Sequence, residues 1–354
     1  MARPLRSGFT TGTCAAAAVK GAALLLRDGI RPTVITLTLP CGEQARFTPS
    51  TASHKNGNAT CSITKDAGDD PDVTNGAELT ATLTPAPGSD ITIAGGSGIG
   101  KVTKPGLAVA VGEWAINPIP RRMIEQAVRE IYPAGGWLVT ISIPDGEARA
   151  KKTLNARLGI IGGLSILGTT GIVRPISIQA WTDTIDTALD VARAVHCPTV
   201  VLATGRTSEL AAMRHHANLP EEAFIMMGDH VAHALQSCQR HGFTQPMLAC
   251  QFAKLVKIAC GHANTHAVAS QLDLAQLTRW LRAAAVPDDL IRRAATANTA
   301  RELVLASDYS PLLLQTVCDR LLIAIRQHAP GLTPTILISR YDGKNAIPYP
   351  SRSR

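Results

Sequence analysis

The chain contains 354 residues, of which 45% are hydrophobic and only 4% aromatic, so about two domains with aliphatic cores are expected. The scarcity of aromatic residues argues against a surface that stacks nucleic-acid bases. The 35 basic and 27 acidic residues give a net charge of +8, and because the basic residues are dispersed, a small anionic ligand is favoured over nucleic acid.

The eight cysteines form no C-x-x-C pair, and most lie inside apolar runs. This pattern is typical of reduced, buried thiols in a cytoplasmic protein, and it predicts no metal cage. The apolar stretches 15–26 and 158–173 are interrupted by Lys20 and by five glycines, respectively. Neither stretch is expected to cross a membrane, so we predict a soluble, cytoplasmic protein.

The first half of the chain combines helices with alternating strands. Residues 13–28 predict a helix that ends at Gly29, and Thr11 and Thr13 are interpreted as its N-caps. A second helix is predicted at about 120–132. Alternation of apolar and polar residues predicts half-buried strands at 33–39, 44–49, 59–64, 78–84 and 137–143.

Strands and helices alternate in the second half, which predicts a parallel sheet with crossover helices. The strands are expected at 199–204, 224–227, 246–250 and 335–340. The longer helices are expected at 180–195, 252–260, 272–285, 288–305 and 311–328. We therefore predict an α/β protein with an N-terminal α+β domain (1–178), a C-terminal domain with a mostly parallel sheet (179–347), and a tail (348–354).

Two loops of the second half follow predicted strands and carry ligand-binding chemistry. The first contains Thr204, Gly205, Arg206 and Ser208, where glycine lets a ligand approach the backbone and helix N–H groups point outwards. The second contains Gly228 and Asp229, whose carboxylate can accept hydrogen bonds from a ribose or an amino group. Because parallel strands bind ligands at their carboxyl ends, the loops suggest a nucleotide-like cofactor. Ordinary capped helix starts explain the same residues.

A glycine-rich loop, residues 95–106, resembles the start of a phosphate-binding P-loop. Gly95, Gly100 and Lys101 match the pattern, but Val102 stands where Ser or Thr must hold magnesium, so an NTPase is disfavoured. Its backbone amides, beside Lys101 and Lys104, would suit carboxylates. A mobile turn without a ligand explains the same residues equally well.

An acidic loop, residues 65–76, carries four aspartates within seven residues: Asp66, Asp69, Asp70 and Asp72. Such crowding is expected to raise the pKa of some of them, which would supply a general acid or base. A divalent-ion site and a solvated turn are the alternatives.

Two histidine pairs have helical spacing, His230 with His233 and His262 with His266. Neither pair has the remaining residues of a zinc site, so ligand binding or an ordinary helix surface is the better interpretation. Lys254 and Lys257 would add positive charge if these segments fold together.

Several segments together resemble one family, the cobalt-precorrin-5B C1-methyltransferases (the CbiD family). The acidic loop and the glycine-rich loop are the most specific of them. The matching segments are GFTTGTCAAAA (8–18), KDAGDDPDVT (65–74), GGSGIGKVTKPGL (95–107), NPIPRRMI (117–124), GTTGIVRP (168–175), ATGRTSE (203–209) and KLVKIACGHANTH (254–266).

The resemblance implies transfer of a methyl group from S-adenosylmethionine to C1 of cobalt-precorrin-5B, giving cobalt-precorrin-6A in anaerobic cobalamin biosynthesis. It also implies that the C-terminal domain is Rossmann-like. Cobalt would be present only as part of the substrate, and no protein-bound metal is expected. As protein partners, we consider other enzymes of cobalamin biosynthesis and a second copy of the chain.

The candidate residues fall into three groups. The conjugated ring itself would attack the sulfonium methyl group, and the chain would contribute mainly positioning. Asp69 or Asp70 would take part in proton transfer. The cofactor candidates are Thr204, Gly205, Arg206, Ser208, Gly228 and Asp229. The substrate candidates are Thr11, Thr13, Lys65, Asp66, Gly96, Ser97, Gly98, Gly100, Lys101, Lys104, His262 and His266.

Two other functions are open on the residues alone. A nucleotide-dependent small-molecule kinase would use the glycine-rich loop and would need ATP and magnesium. A non-catalytic corrinoid-binding protein would bind the pigment and leave its mass unchanged.

Overall fold

The computed structural model describes residues 4–350, and the chain divides into two compact units between Ser177 and Ile178. No helix in this described part of the chain is long and apolar enough to span a membrane. The mixture of helices with parallel and antiparallel strands confirms the α/β class.

The first unit contains a mixed sheet packed against a long helix. In chain order its elements are β1 (Gly8–Phe9), α1 (Thr11–Asp28), β2 (Ile35–Thr38), β3 (Gln44–Phe47), β4 (Thr51–Lys55), β5 (Asn58–Thr64), β6 (Glu78–Ala86), β7 (Ile91–Gly95), β8 (Lys101–Val102), α2 (Pro118–Arg129), β9 (Gly136–Ser142), α3 (Gly146–Ala150), β10 (Ile160–Ile161) and β11 (Ile172–Val173). The sheet has the order β4-β5-β6-β9-β7, in which only β7 and β9 run parallel.

The alanine-rich helix α1 lies close against this sheet because its buried face carries small side chains. Ala15, Ala16, Ala17 and Ala18 are fully buried. A Cβ atom at Gly21 would lie 2.5 Å from the Cys61 sulfur, so even alanine would not fit there.

The start of α1 differs from the sequence interpretation. Thr10 is the N-cap, and its Oγ1 accepts a hydrogen bond of 3.2 Å from Thr13 N, so Thr11 and Thr13 lie within the helix. The helix begins there because Thr11 Oγ1 and Thr13 Oγ1 donate to the carbonyl oxygens of Leu167 and Gly171, which a local sequence pattern does not reveal.

The second unit is a parallel sheet covered by helices, with one antiparallel edge. Its elements are α4 (Ile178–Ala194), β12 (Val201–Ala203), α5 (Arg206–His215), β13 (Phe224–Met226), α6 (Val231–Arg240), β14 (Met247–Cys250), α7 (Phe252–Ala259), α8 (Leu274–Ala283), α9 (Asp288–Thr296), α10 (Ala300–Ala306), α11 (Pro311–His328), β15 (Thr335–Ser339) and β16 (Ala346–Tyr349). The sheet order is β13-β12-β14-β15-β16. Only β16 is antiparallel to its neighbour.

Two elements of this unit correct the sequence prediction. Pro348 and Tyr349 belong to strand β16 and pair with β15, although they were predicted to begin the tail; residues 351–354 of that tail lie outside the described part of the chain. The single helix predicted over 288–305 is two helices, because Thr299 caps a new one by accepting from Glu302 N.

Candidate functional site

The cofactor loops predicted from the sequence lie side by side in the second unit. Strands β12 and β13 are parallel neighbours, with Ala203 opposite Met226, so both loops leave the same edge of the sheet. Met227 N donates to Ala203 O at 2.9 Å, and Thr204 N donates to Ala249 O of β14 at 3.1 Å. The carboxyl ends of three strands therefore meet here, which is where open parallel sheets bind ligands.

Gly205 leaves this edge open. Its φ of 173° and ψ of 169° are extended backbone that any residue can adopt, and no atom lies within 4 Å of a Cβ built on it. Neither conformation nor packing therefore requires glycine at this position. Its missing side chain leaves room directly before α5, where the helix N–H groups of the first turn have no partner within the helix.

The neighbours of Gly205 are not all available to a ligand. Arg206 has 62% of its side chain exposed and pairs with the buried Glu209. Ser208 is buried, and its Oγ lies 2.7 Å from Ser339 Oγ, so the predicted cofactor contact of Ser208 becomes an internal hydrogen bond. Thr204 is half-buried and forms a hydrogen bond with the Cys250 thiol. Burial raises the pKa of that thiol to about 12.

Asp229 is tied to the segment that follows α7. Its Oδ1 accepts hydrogen bonds from Lys254 Nζ and, at 2.6 Å, from Thr265 Oγ1. Burial opposes ionisation of this carboxyl, but the bonds from Lys254 and Thr265 and the charge of Lys254 hold its pKa below the ordinary value. Asp229 is therefore ionised at neutral pH, and at least one of its oxygens is committed to holding the segment that contains Thr265.

Residues 261–270, here called the His loop, follow α7 and are not helical, although His262 and His266 have helical spacing in the sequence. Helix α7 ends at Ala259, and Gly261 takes a left-handed φ of 87°, so His262 and His266 do not share a helix face. Lys257 Nζ donates hydrogen bonds to two backbone oxygens of this loop, to Thr265 O at 3.0 Å and to Ser270 O at 2.9 Å.

The His loop therefore lies against Lys254 and Lys257, as the sequence suggested, but both ammonium groups are used within the protein. The ring of His266 is exposed, whereas that of His262 is half-buried. The other histidine pair also separates: His230 is the N-cap of α6, and His233 Nε2 lies 3.1 Å from Asp186 Oδ1.

Sequence reasoning missed Trp181, whose side chain borders the loop after β13. Its indole Nε1 donates to Met227 O at 3.1 Å, and 46% of the residue is exposed. A Cβ at Gly228, where φ is +58°, would lie 2.9 Å from the Trp181 ring. A tryptophan among the polar residues of a helix start, in a chain with only four tryptophans, was the available signal.

In the first unit, the acidic loop is fastened to the N-terminal segment. Arg6 forms a bidentate ion pair with Asp66, and its backbone N–H donates to Asp69 Oδ2 at 2.7 Å. Asp70 Oδ1 accepts from Ile176 N at 3.0 Å. Asp69 is exposed and Asp70 is half-buried, so each carboxylate has one oxygen held by backbone while its side chain still reaches solvent.

In two of the crowded aspartates, Asp66 and Asp72, the pKa is lowered and not raised as the sequence suggested. The hydrogen bond from Arg6 holds the pKa of Asp66 below its usual range. Asp72 is partly buried, which opposes ionisation, but the hydrogen bonds from Lys65 and Thr74 lower its pKa overall. Nearby cations outweigh the mutual repulsion that was expected.

Lys65 is the cation that pairs with Asp72. Its side chain is 1% exposed, and its Nζ lies 2.6 Å from Asp72 Oδ2. It cannot contact a ligand in this structure. Thr11 and Thr13 are likewise buried, with their hydroxyls bonded to backbone, so these three substrate candidates serve the fold.

The glycines of the glycine-rich loop are required by packing. A Cβ at Gly98, where φ is +73°, would lie 1.9 Å from Ile143 O, and one at Gly96 would lie 2.2 Å from Ser142 Oγ. Gly96 N donates to Ile141 O and Gly100 N to Leu164 O, so these amides are not available to carboxylates. Ser97 is exposed at the tip of the loop.

The two lysines of this loop differ in their surroundings. Lys101 is exposed and lies 4.6 Å above the Trp114 ring, whereas Lys104 is half-buried against Gly159. Lys101 also begins strand β8, which pairs with β10, and a P-loop would require a helix at that position. The kinase interpretation therefore lacks its structural context.

The short helix α3 connects the two loops of the first unit. Arg149 Nη1 donates to Val73 O of the acidic loop at 2.6 Å, and Gly98 of the glycine-rich loop packs against Gly146. Among residues 4–350, no group of three or more His, Cys, Asp or Glu side chains is arranged to hold a metal ion.

Comparisons with known proteins relate nearly all of the chain to one family. A family profile described as CbiD matches residues 1–175, and one described as CbiD, C-terminal domain, matches residues 264–345. The chain is 55% identical to a cobalt-precorrin-5B C(1)-methyltransferase from Pelobacter propionicus, over 96% of this chain and 95% of that protein. It is 53% identical to the protein of the same name from Geobacter sp. (strain M21), over 96% and 97%.

A solved structure is also similar. It is the 1.9 Å crystal structure of a cobalamin biosynthesis protein (CbiD) from Archaeoglobus fulgidus. It is 30% identical and covers 70% of this chain and 77% of that chain, with a TM-score of 0.39.

Proposed function

The chain belongs to the CbiD family, and from that membership we propose that it methylates C1 of cobalt-precorrin-5B with S-adenosylmethionine as the methyl donor. The observation that carries the proposal is the identity of 53–55% to proteins of that name over nearly their full lengths. The product would be cobalt-precorrin-6A, an intermediate of cobalamin biosynthesis.

The residues of the second unit fit the methyl donor. Its sheet places three strand ends at one edge, and we propose that this Rossmann-like arrangement binds S-adenosylmethionine there. The open backbone at Gly205 suits close approach of a ligand, and the first turn of α5 suits a carboxylate. Thr204, Arg206, Gly228 and Asp229 border the same edge.

The first unit would bind the corrinoid through its acidic and glycine-rich loops. A tetrapyrrole with acetate and propionate groups requires exposed cations, and Lys101 is such a group. Ser97 and the exposed side of the acidic loop are the adjoining candidates. His262 and His266, which lie in the second unit, stay substrate candidates on the sequence resemblance alone.

When bound, S-adenosylmethionine supplies an electrophilic methyl group, which C1 of the ring takes as the carbon–sulfur bond breaks. The chain has to align this carbon with the methyl group and exclude water, which are effects of positioning. Asp69 or Asp70 would accept a proton from the pigment, since each carboxylate reaches solvent from a fixed backbone attachment.

Methyl transfer is tested by anaerobic incubation of the purified protein with cobalt-precorrin-5B and S-adenosylmethionine that carries a deuterated methyl group. We expect the pigment to gain one labelled methyl group, which mass spectrometry detects and NMR locates at C1. Protein that has been heat-denatured is the control.

The alternatives give different results in the same assay. Pigment that binds to the folded protein but keeps its mass would favour the carrier, and label at another carbon would contradict the assigned position. Consumption of ATP in a magnesium-dependent reaction, lost in Lys101→Ala, would favour the kinase.

A further inference from the structure

Trp181 presents a fixed and partly uncovered aromatic face beside the proposed cofactor edge. It lies in the first turn of α4, and its side chain reaches the loop that follows β13. With 46% of the residue exposed, it is the one tryptophan among the exposed large hydrophobic residues of the described chain. Because this ring borders the edge at which open parallel sheets bind ligands, we treat its exposed face as a candidate binding surface.

The orientation of this ring is set by two contacts. The indole Nε1 donates to Met227 O at 3.1 Å, which fixes the edge of the ring on the backbone. Gly228 packs against the ring and leaves no room for a Cβ, which would lie 2.9 Å from Trp181 Cζ2. The ring is therefore held in place before any ligand arrives, which reduces the entropy lost on binding.

The surroundings of the ring favour a flat, uncharged partner. The His230 ring lies 6.2 Å away, centroid to centroid, at an angle of 39°. Burial lowers the pKa of His230, so the neutral imidazole prevails at neutral pH. The strand ends that carry Thr204 and Gly228 are adjacent, so the ring borders the same edge as Gly205.

We infer that Trp181 stacks on the adenine of S-adenosylmethionine and thereby sets the affinity for the adenosyl group. This inference rests on the proposed methyltransferase function. A purine has the flat π-face that an indole ring binds, and such stacking is worth about 1–3 kcal/mol per base, or about 5- to 150-fold in affinity.

The test compares Trp181→Leu and Trp181→Phe with wild type in the binding of S-adenosylhomocysteine and of methylthioadenosine, which lacks the amino-acid part. We expect Trp181→Leu to weaken both ligands by the same factor, about 5- to 150-fold, and Trp181→Phe to retain most of the affinity. Trp280→Leu, in α8, is the matched control and should bind as wild type does.

Three further readouts separate stacking from loss of structure. The fluorescence of Trp181, obtained as the difference between wild type and Trp181→Phe, should be quenched by methylthioadenosine. Thermal unfolding should show that the variants are folded. In the methyl-transfer assay, Trp181→Leu should raise KM for S-adenosylmethionine and change kcat little.

The outcomes distinguish this inference from the function on which it rests. A wild-type protein that methylates the pigment, with Trp181→Leu binding both nucleosides unchanged, would overturn the stacking alone. A wild-type protein that neither binds S-adenosylhomocysteine nor transfers a methyl group would overturn the proposed function and the stacking together.

Discussion

At the scale of single residues, the two carboxylates proposed to handle a proton are held in the same way. Asp69 and Asp70 each accept a backbone N–H through one oxygen, from Arg6 and Ile176, respectively. An asparagine side chain can accept the same hydrogen bond through its amide oxygen. Asparagine substitution therefore removes the proton acceptor and keeps the attachment to the backbone.

We expect Asp70→Asn to lower kcat for methyl transfer by about 10²- to 10⁴-fold, the usual contribution of a general acid or base. Asp70 is the stronger candidate because it is half-buried, whereas Asp69 is exposed, so Asp69→Asn should have the smaller effect. Single-turnover rates with labelled S-adenosylmethionine measure both.

Asp289→Asn is the control for this pair, since Asp289 belongs to an exposed ion pair with Arg293 in α9 of the second unit. Normal turnover in both Asp69→Asn and Asp70→Asn would remove the acidic loop from the chemistry and leave it a binding or structural role.

At the scale of elements, the glycine-rich loop and the loop before α5 both contain glycine, but only the first loop needs it for folding. Gly98 has a left-handed φ of +73° and no room for a Cβ, so the fold requires it. Gly205 has extended backbone and open space around it, so the fold does not. The glycine-rich loop is therefore a packing element between α3 and β10, whereas the loop before α5 remains open.

This difference predicts opposite effects of substitution. Gly98→Ala should cost about 2–5 kcal/mol in the free energy of unfolding, from the unfavourable φ and the clash with Ile143 O. Gly205→Val should unfold like wild type but bind S-adenosylhomocysteine more weakly, because its side chain fills the open space. Chemical denaturation and calorimetric titration measure the two effects.

Gly331→Ala is the control for Gly205→Val, because a Cβ there would meet only the flexible Gln239 side chain at 3.2 Å. Unchanged binding in Gly205→Val would move the ligand away from this edge of the sheet.

The positions of elements were predictable where the periodicity was strong. Seven strands of the two five-stranded sheets and helices α1, α4 and α11 lie within a few residues of their predicted bounds; the strands are β5, β6, β9, β12, β13, β14 and β15. Strand β4 was missed because it is exposed and polar, although Asn56 and Gly57, both with positive φ, form the turn that joins it to β5. The capping pair Thr299 and Glu302 was the signal for a new helix within 288–305.

At the scale of the whole molecule, the net charge of +8 coexists with aspartates that are paired internally. The pKa of Asp72 and that of Asp229 both lie below the ordinary value of 3.8. A pKa lowered by folding contributes stability that is complete above about pH 5 and is lost as the pH falls through and below that ordinary value. Protonation also raises the positive charge of the molecule, which increases repulsion.

We therefore expect stability to fall steeply between about pH 5 and pH 2, and Asp72→Asn to make that dependence shallower. At pH 7 this substitution should cost about 3–5 kcal/mol, because Lys65 is 1% exposed and would lose its partner. Urea unfolding at several pH values measures both effects.

The exposed pair of Asp145 and Arg149 provides the comparison, since Asp145 is 51% exposed. Asp145→Asn should cost less than about 1 kcal/mol. Equal losses for the two variants would mean that burial of Lys65 does not decide the energy of its ion pair.

The sequence by itself determined the class of fold, the elements with strong periodicity, the family, and the segments that we propose carry its chemistry. Those features depend on local spacing and on motifs that can be recognised in a single sequence. It could not assign roles within the motifs, because a role depends on which groups from distant segments approach each side chain.

Tertiary structure decided those roles. It buried Thr11, Thr13 and Lys65, bound Asp229 to Lys254 and Thr265, and separated the histidines of the His loop. It also brought Trp181 to Gly228, although 47 residues separate the two in the chain. Hydrogen bonding, burial and open space are properties of the folded neighbourhood, so only the fold could distinguish residues that hold the site from residues left to bind.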